Sequence, residues 1–296
     1  MIEHTVSCDP EHHRGRLYNC FVLGAIRKEL ETRKCWVYKM RSDDILTLAA
    51  PPADVRLAYG SDPNQFGELR LPKSPAPFPI VMSIHGGFWR AKYDLKHIGH
   101  LCAALTAKGL ATWNVEYRRA GNIGGGWPGT FEDIASASRF LPQIAKRYNF
   151  DPARTVVIGH SAGGQLALCL AAHEPSIKRV ISLAGVVDVQ QAWELHLSDD
   201  AVVEFLGGKP KDVPEHYHEA DPMQLSIKAT QWLVHGAADD VVPPPFSRHY
   251  AEEKKRRGED VHYLELSTAG HFDLIDPRSS AWSKVENTIL HLMQST

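Results

Sequence analysis

The sequence is poor in features that would staple it, anchor it in a membrane or draw it to nucleic acid. Its five cysteines, Cys8, Cys20, Cys35, Cys102 and Cys169, are an odd and scattered set in 296 residues. A chain of that length has core enough to do without disulfides, so reduced thiols are expected. No apolar run approaches the roughly 18 residues that a membrane-spanning helix needs. The longest candidate, residues 20–26, contains Gly24 and runs into Arg27, Lys28 and Glu29. It also lacks a small-residue cleavage pattern downstream, so a cytoplasmic location is expected. A formal net charge of −2 leaves no global basic field. Nucleic acid and anionic membrane are therefore not expected partners. Neither H-E-x-x-H nor a Cys/His zinc spacing occurs, and the glycine-rich run 121–126 lacks a phosphate-cradling pattern, so no metal and no nucleotide cofactor is expected.

What is present is ordinary globular composition, 43% hydrophobic and 23% charged. About 75% of the unfolded surface of such a chain can be buried, in one large α/β domain or two small ones. Residues 1–50 have no strong period and are read as a helical extension or cap, with the main domain over 51–296. Short β-type runs at 54–58 and 68–71 resemble an antiparallel hairpin. Beyond a proline-rich hinge at 72–79, strands and helices alternate: strand 80–84, helix 95–108, strand 111–117, helix 131–148, strand 155–158, helix 163–173, strand 179–183. Near-continuous apolar strands alternating with helices indicate an α/β fold, a mostly parallel sheet covered on both faces. Thr130 and Asp133 have capping-box spacing at the second helix start. The rhythm stops over about 187–230, read as a lid insertion. It resumes with strand 231–234, helix 246–257, strand 261–266 and helix 281–293.

The sharpest local signal is Gly159-His160-Ser161-Ala162-Gly163, a G-x-S-x-G between an apolar strand and an apolar helix. A serine on such a turn projects its hydroxyl above the sheet, and the flanking glycines avoid collision with neighbouring backbone. A serine hydroxyl needs a base within hydrogen-bond reach and a carboxylate to orient that base. In serine hydrolases built on this turn, acid and then base follow the serine along the chain. Asp239 lies on the loop after strand 231–234, and His271, in Ala269-Gly270-His271-Phe272-Asp273, follows strand 261–266. Two other acids stay open: Asp240 is adjacent, and Asp188 follows the preceding strand. The other histidines, including His85, His160 and His235, are by default structural.

His85-Gly86-Gly87-Phe88-Trp89 follows the apolar strand 80–84. Acyl transfer builds negative charge on the carbonyl oxygen, and each backbone amide aimed at it can contribute about 3 kcal/mol. The expected donors are the amide of Ala162 and one from Gly87 or Phe88, with Gly86 letting the chain approach. Trp89, Trp127 and Trp193 are candidate substrate contacts, and Trp193, Phe205 and Tyr217 candidate walls of the insertion. Lys254-Lys255-Arg256-Arg257 reads as a solvated helix end.

Taken together, H-G-G-F-W, G-H-S-A-G-G, H-G-x-x-D-x-V-V-P and G-H-F-D resemble the α/β-hydrolase superfamily. Within it they resemble the arylformamidase (kynurenine formamidase) and esterase/lipase group with an H-G-G-x-W oxyanion motif. The likeness covers about residues 50–296 and implies an α/β-hydrolase fold, Ser161, Asp239 and His271 as triad, and Gly86 to Trp89 as oxyanion motif. It also implies cofactor-free hydrolysis of a small carboxylic ester or amide through an acyl-enzyme, with an aryl formamide of the N-formylkynurenine kind or an aryl ester as substrate. Feruloyl- and acetyl-type carboxylesterases share these motifs. A non-catalytic binding or receptor module on the same scaffold is the alternative from another class. A homodimer stays open, with no residue assigned to it.

Overall fold

The computed structural model describes residues 43–294. Most of the expected amino-terminal extension, with Cys8, Cys20 and Cys35, lies outside the described residues. The end of that stretch folds with the body: Ile45, in the 3-10 turn Asp43–Leu46, is buried, and Asp44 pairs with Arg278 at 3.1 Å.

The apolar runs form an eight-stranded sheet: β1 (Val55–Ala58), β2 (Phe66–Arg70), β3 (Phe78–Ile84), β4 (Ala111–Val115), β5 (Phe150–His160), β6 (Arg179–Leu183), β7 (Thr230–Gly236) and β8 (Val261–Leu266). Their order is β1-β2-β4-β3-β5-β6-β7-β8. β1 pairs antiparallel with β2 and β2 antiparallel with β4, while the remaining pairs are parallel. The helices are α1 (Gly99–Ala107), α2 (Gly129–Tyr148), α3 (Ala162–His173), α4 (Val189–Glu194), α5 (Ala201–Leu206), α6 (Pro214–Ala220), α7 (Pro245–Arg256) and α8 (Trp282–Gln294).

Successive side chains of a strand face opposite ways, so one apolar run feeds two cores. Ile80, Met82 and Ile84 of β3 join one core with Ile134 and Leu141 of α2 and Leu166 and Leu170 of α3. Val81, between them, joins the other with Leu101 and Leu105 of α1 and Val285 and Ile289 of α8. A sheet covered on both faces leaves its strand ends open, and the carboxyl ends of β3, β5, β6, β7 and β8 all open towards the loops described below.

Three local expectations are corrected. Thr130 and Asp133 do not form a capping box: the Thr130 hydroxyl donates to the Arg118 carbonyl at 2.6 Å, and Asp133 takes the Arg118 guanidinium at 2.6 and 2.9 Å. Both side chains are buried and tie α2 to the loop after β4 instead of closing the helix end. The helix expected over 95–108 divides into a 3-10 turn, Leu95–Ile98, and α1. Glu116 accepts from the Leu95 amide at 3.0 Å and Asn114 donates to the Leu95 carbonyl at 2.9 Å, holding that first turn against the end of β4. The stretch 187–230 is not irregular but carries α4, α5 and α6.

Candidate active site

Ser161 follows the last residue of β5 and precedes the first of α3, at φ 56° and ψ −122°. A non-glycine residue rarely takes such a backbone, and it persists only where its surroundings over-determine it. They do here. The Ser161 amide donates to Leu183 O at 2.8 Å, and its carbonyl accepts from the Gly164 amide at 2.9 Å. A Cβ on Gly159 would lie 1.9 Å from Gly163 O, and one on Gly163 2.2 Å from Ile84 O. The two glycines of the motif are thus required by close backbone approach.

Asp239, on the turn after β7, reaches His271, on the loop after β8, through a 2.7 Å contact from Oδ2 to Nδ1. Both side chains are almost fully buried. Asp239 Oδ1 accepts from the Val241 and Val242 amides, each at 2.8 Å. Burial pushes this carboxyl up, but the facing imidazoles of His271 and His235 outweigh it and hold the group well below the usual carboxylate range. His235 Nε2 lies 3.0 Å from the Val242 carbonyl and 3.2 Å from Asp239 Oδ2, two acceptors, so that nitrogen carries the hydrogen. Its Nδ1 is then free to accept from the Ser247 hydroxyl at 2.7 Å. The other two acids stand elsewhere. Asp240 is exposed, and Asp188 caps α4 by accepting from the Gln191 amide at 2.7 Å.

The loops of Ser161 and His271 meet through His160, whose Nε2 lies 3.0 Å from the His271 carbonyl and whose ring centroid is 4.5 Å from the His271 ring. No hydrogen bond joins the Ser161 hydroxyl to His271 itself among the described residues.

The turn after β3 completes the arrangement. Gly87, Phe88 and Trp89 all have positive φ, 110°, 49° and 57°. His85 Nδ1 lies 2.8 Å from Gly86 O and its Nε2 3.1 Å from Glu116. The two contacts fix the His85 ring between the Gly86 carbonyl and the Glu116 carboxylate. Because the peptide is planar and trans, anchoring Gly86 C=O on His85 turns the Gly87 amide to the opposite side. Burial would push the Glu116 carboxyl up. His85 and then Arg119 and the Tyr117 amide reverse this and hold it below its ordinary range. Ala162, first in α3, offers an amide without an intrahelical acceptor.

The candidate substrate contacts divide. Phe88, Trp127 and Trp193 are partly exposed, whereas Trp89 is 1% exposed. Trp89 stacks on Phe205 at 4.6 Å and donates to Gln165 at 2.9 Å, which in turn holds Ala220 O at 2.7 Å. It therefore braces the insertion from beneath and does not reach a ligand. Phe205 and Tyr217, expected as walls, are buried as well, because α5 and α6 turn their apolar sides to the core. The Trp127 amide donates to Phe205 O at 2.7 Å, so the glycine-rich loop is clamped to α5. Lys254 is not solvated: its amine bonds to Leu225 O and lies 3.3 Å from Glu259.

Comparison with known families decides the kinship. A family model described as BD-FAE matches residues 68–253, more than half of the chain. The chain belongs to the BD-FAE family. The BD-FAE match takes in the turn after β3, Ser161 and Asp239 and ends before His271. Among curated proteins, a probable isoprenylcysteine alpha-carbonyl methylesterase of Oryza sativa subsp. japonica is 23% identical over 268 residues, 80% of this chain and 63% of that protein. Neutral cholesterol ester hydrolase 1 of Pongo abelii is 28% identical over 124 residues, 39% of this chain and 30% of that one. The chain thus spans less than two thirds of either relative. Among solved structures, esterase B from Lactobacillus rhamnosis superposes with a TM-score of 0.71 at 18% identity, covering 94% of this chain and 96% of that one. The fold of this BD-FAE protein is the α/β-hydrolase fold. No helix of the described residues is long and apolar enough to cross a membrane.

Two site residues escape sequence reasoning. Glu116 and His97 act through partners 31 and 63 positions away, His85 and His160. The one local hint is a charged residue, Glu116, directly after the apolar strand β4.

Proposed function

We propose that this BD-FAE protein is a cofactor-independent serine carboxylesterase. The observation that carries the reading is the 2.7 Å Asp239–His271 contact beside a serine held at positive φ. With Nδ1–H committed to Asp239, His271 presents a bare Nε2 to the Ser161 hydroxyl. Ser161 Oγ attacks the ester carbonyl while Nε2 takes its proton. The amides of Ala162 and of Gly87 or Phe88 hold the oxyanion, and the imidazolium, steadied by Asp239, protonates the departing alkoxide. Water activated by the same nitrogen then releases the acid.

An ester is favoured because the relatives named above are called ester hydrolases. An aryl group on one side of the bond is favoured by two partly exposed rings, Phe88 and Trp127, each backed by a buried one: Phe88 lies 6.3 Å from Trp89 and Trp127 6.1 Å from Phe205. Aryl formamides of the N-formylkynurenine kind belong to the same proposal as the finer alternative. The test is turnover of p-nitrophenyl acetate, phenyl esters and N-formylkynurenine by the parent protein and Ser161→Ala. Ester turnover lost in the variant is expected, and retention would end the serine mechanism. Fluorophosphonate labelling separates the binding-module reading, since only an activated serine reacts.

A further inference from the structure

We infer that His97 and His160 form a buried positioning pair that keeps the base in register with the nucleophile. The inference rests on the serine-hydrolase reading of Ser161 and His271. His160, the last residue of β5, has no exposed surface, and His97, in the turn before α1, is 9% exposed. The His271 main-chain oxygen, 3.0 Å from His160 Nε2, can only accept, so Nε2 carries the hydrogen and His160 Nδ1 is bare. His97 Nε2 lies 2.7 Å from that bare nitrogen and must donate to it. The hydrogen bonds therefore run in one direction, from His97 to His160 to the His271 carbonyl. His97 is left with a bare, buried Nδ1 that has no partner among the described residues. Burial first, and then the neighbouring imidazoles, push both rings well below the ordinary histidine range, which keeps them neutral as this tautomer chain requires.

The geometry gives the chain a consequence. Asp239 fixes the rotation of the His271 ring, but it does not fix where that ring is rooted. The His160 bond holds the main chain of His271 itself, at the carbonyl next to its Cα. His160 is also covalently joined to Ser161. One hydrogen bond thus links the strand end bearing the nucleophile to the loop bearing the base, across 111 positions of sequence. His97 sits at the third component too. A Cβ on Gly86 would lie 3.2 Å from His97 Nε2, 2.8 Å from His160 O and 2.9 Å from Ser161 Cβ. A residue needed only to fill this space would be apolar and would leave no buried lone pair unmatched.

The experiment measures kcat and KM for p-nitrophenyl acetate, with the melting temperature, in His160→Leu, His160→Gln, His97→Phe and His97→Gln. Glutamine keeps an N–H where the imidazole Nε2 stood, and leucine and phenylalanine keep bulk alone. A misplacement of an ångström can cost about 10²-fold, so His160→Leu is expected to lose roughly that in kcat at near-constant KM, with His160→Gln recovering most of it. His97→Phe is expected to lose about tenfold and His97→Gln to recover it. If His160→Leu does not fold, the comparison at 97 decides. Equal losses for Leu and Gln at 160, or a folded His97→Phe with parent kcat, would overturn the pair. Retained turnover in Ser161→Ala would instead overturn the reading beneath it, so the two failures are distinguishable.

Discussion

His271 Nδ1 and Asp239 Oδ2 are 2.7 Å apart although 32 positions separate them, and the Val241 and Val242 amides and His235 Nε2 meet the same carboxylate. Two amides and a second imidazole hold it ionised. An imidazole bonded through Nδ1 to a charged carboxylate carries its hydrogen on that nitrogen.

Asp239→Asn keeps the shape and offers the imidazole the wrong partner. A loss of about 10⁴ in kcat is expected, with the fold intact by circular dichroism. Asp188→Asn retains the oxygen that caps α4 and should stay within a few-fold of the parent. A larger loss at 188 than at 239 would transfer the acid's role to Asp188.

Asp221 lies almost fully buried, and burial first, then Asp188, raises its carboxyl well above the usual range. The folded state thus binds a proton that the unfolded state releases above about pH 4, the ordinary carboxylate range. Its contribution is fully present below that pH and is lost as pH rises towards the folded value. Asn at 221 keeps the oxygen that accepts from the Met223 amide at 3.1 Å. Asp221→Asn should therefore stabilise the fold at neutral pH and progressively less towards pH 4. Urea midpoints at several pH values check this, and a gain independent of pH would refute it.

Two glycines separate collision from strain. At Gly163 an added Cβ meets Ile84 O at 2.2 Å and His85 O at 2.5 Å, both backbone, so Gly163→Ala should cost more than about 4 kcal/mol or prevent folding. Gly207 has φ +81° with nothing within 4 Å, so Gly207→Ala should cost only about 1–2 kcal/mol. Chemical denaturation of both variants is the measurement, and similar costs would contradict the assignment.

Arg90, in the turn after β3, takes both oxygens of Glu204 on α5 at 2.8 Å, with Ser198 Oγ at 3.0 Å and Asp199 O at 3.2 Å. The Glu204 side chain is half exposed, so the pair should add under about 1 kcal/mol to stability. It does tether the insertion. Arg90→Ala is expected to shift the ratio of kcat/KM for small against bulky aryl esters by several-fold while the melting temperature barely moves. An unchanged ratio would remove the insertion from substrate selection.

Burial on a short scale decides what could be read in advance. Trp89 stands in the same motif as Phe88, yet one ring is sealed under Phe205 and the other stays partly exposed. Lys254 looks like its neighbours Lys255 and Arg256, but it falls on the core side of α7 and finds Glu259 there. Thr130 and Asp133 have the spacing of a local cap and instead bind Arg118 across the loop. In each case the residue type was legible and its partner was not.

The one-dimensional chain by itself determined the alternation of strands and helices, the serine on its strand-to-helix turn, and the placing of candidate acids and of His271 on loops after later strands. These depend on periodicity and on what glycine permits, both local properties. Only the tertiary structure decided that Asp239 and neither Asp188 nor Asp240 meets His271, that Glu116 holds His85, and that His97 reaches His160. Those pairings depend on which loop ends the sheet brings within 3 Å or so of one another, and strand order is a property of the assembled sheet that no stretch of sequence contains.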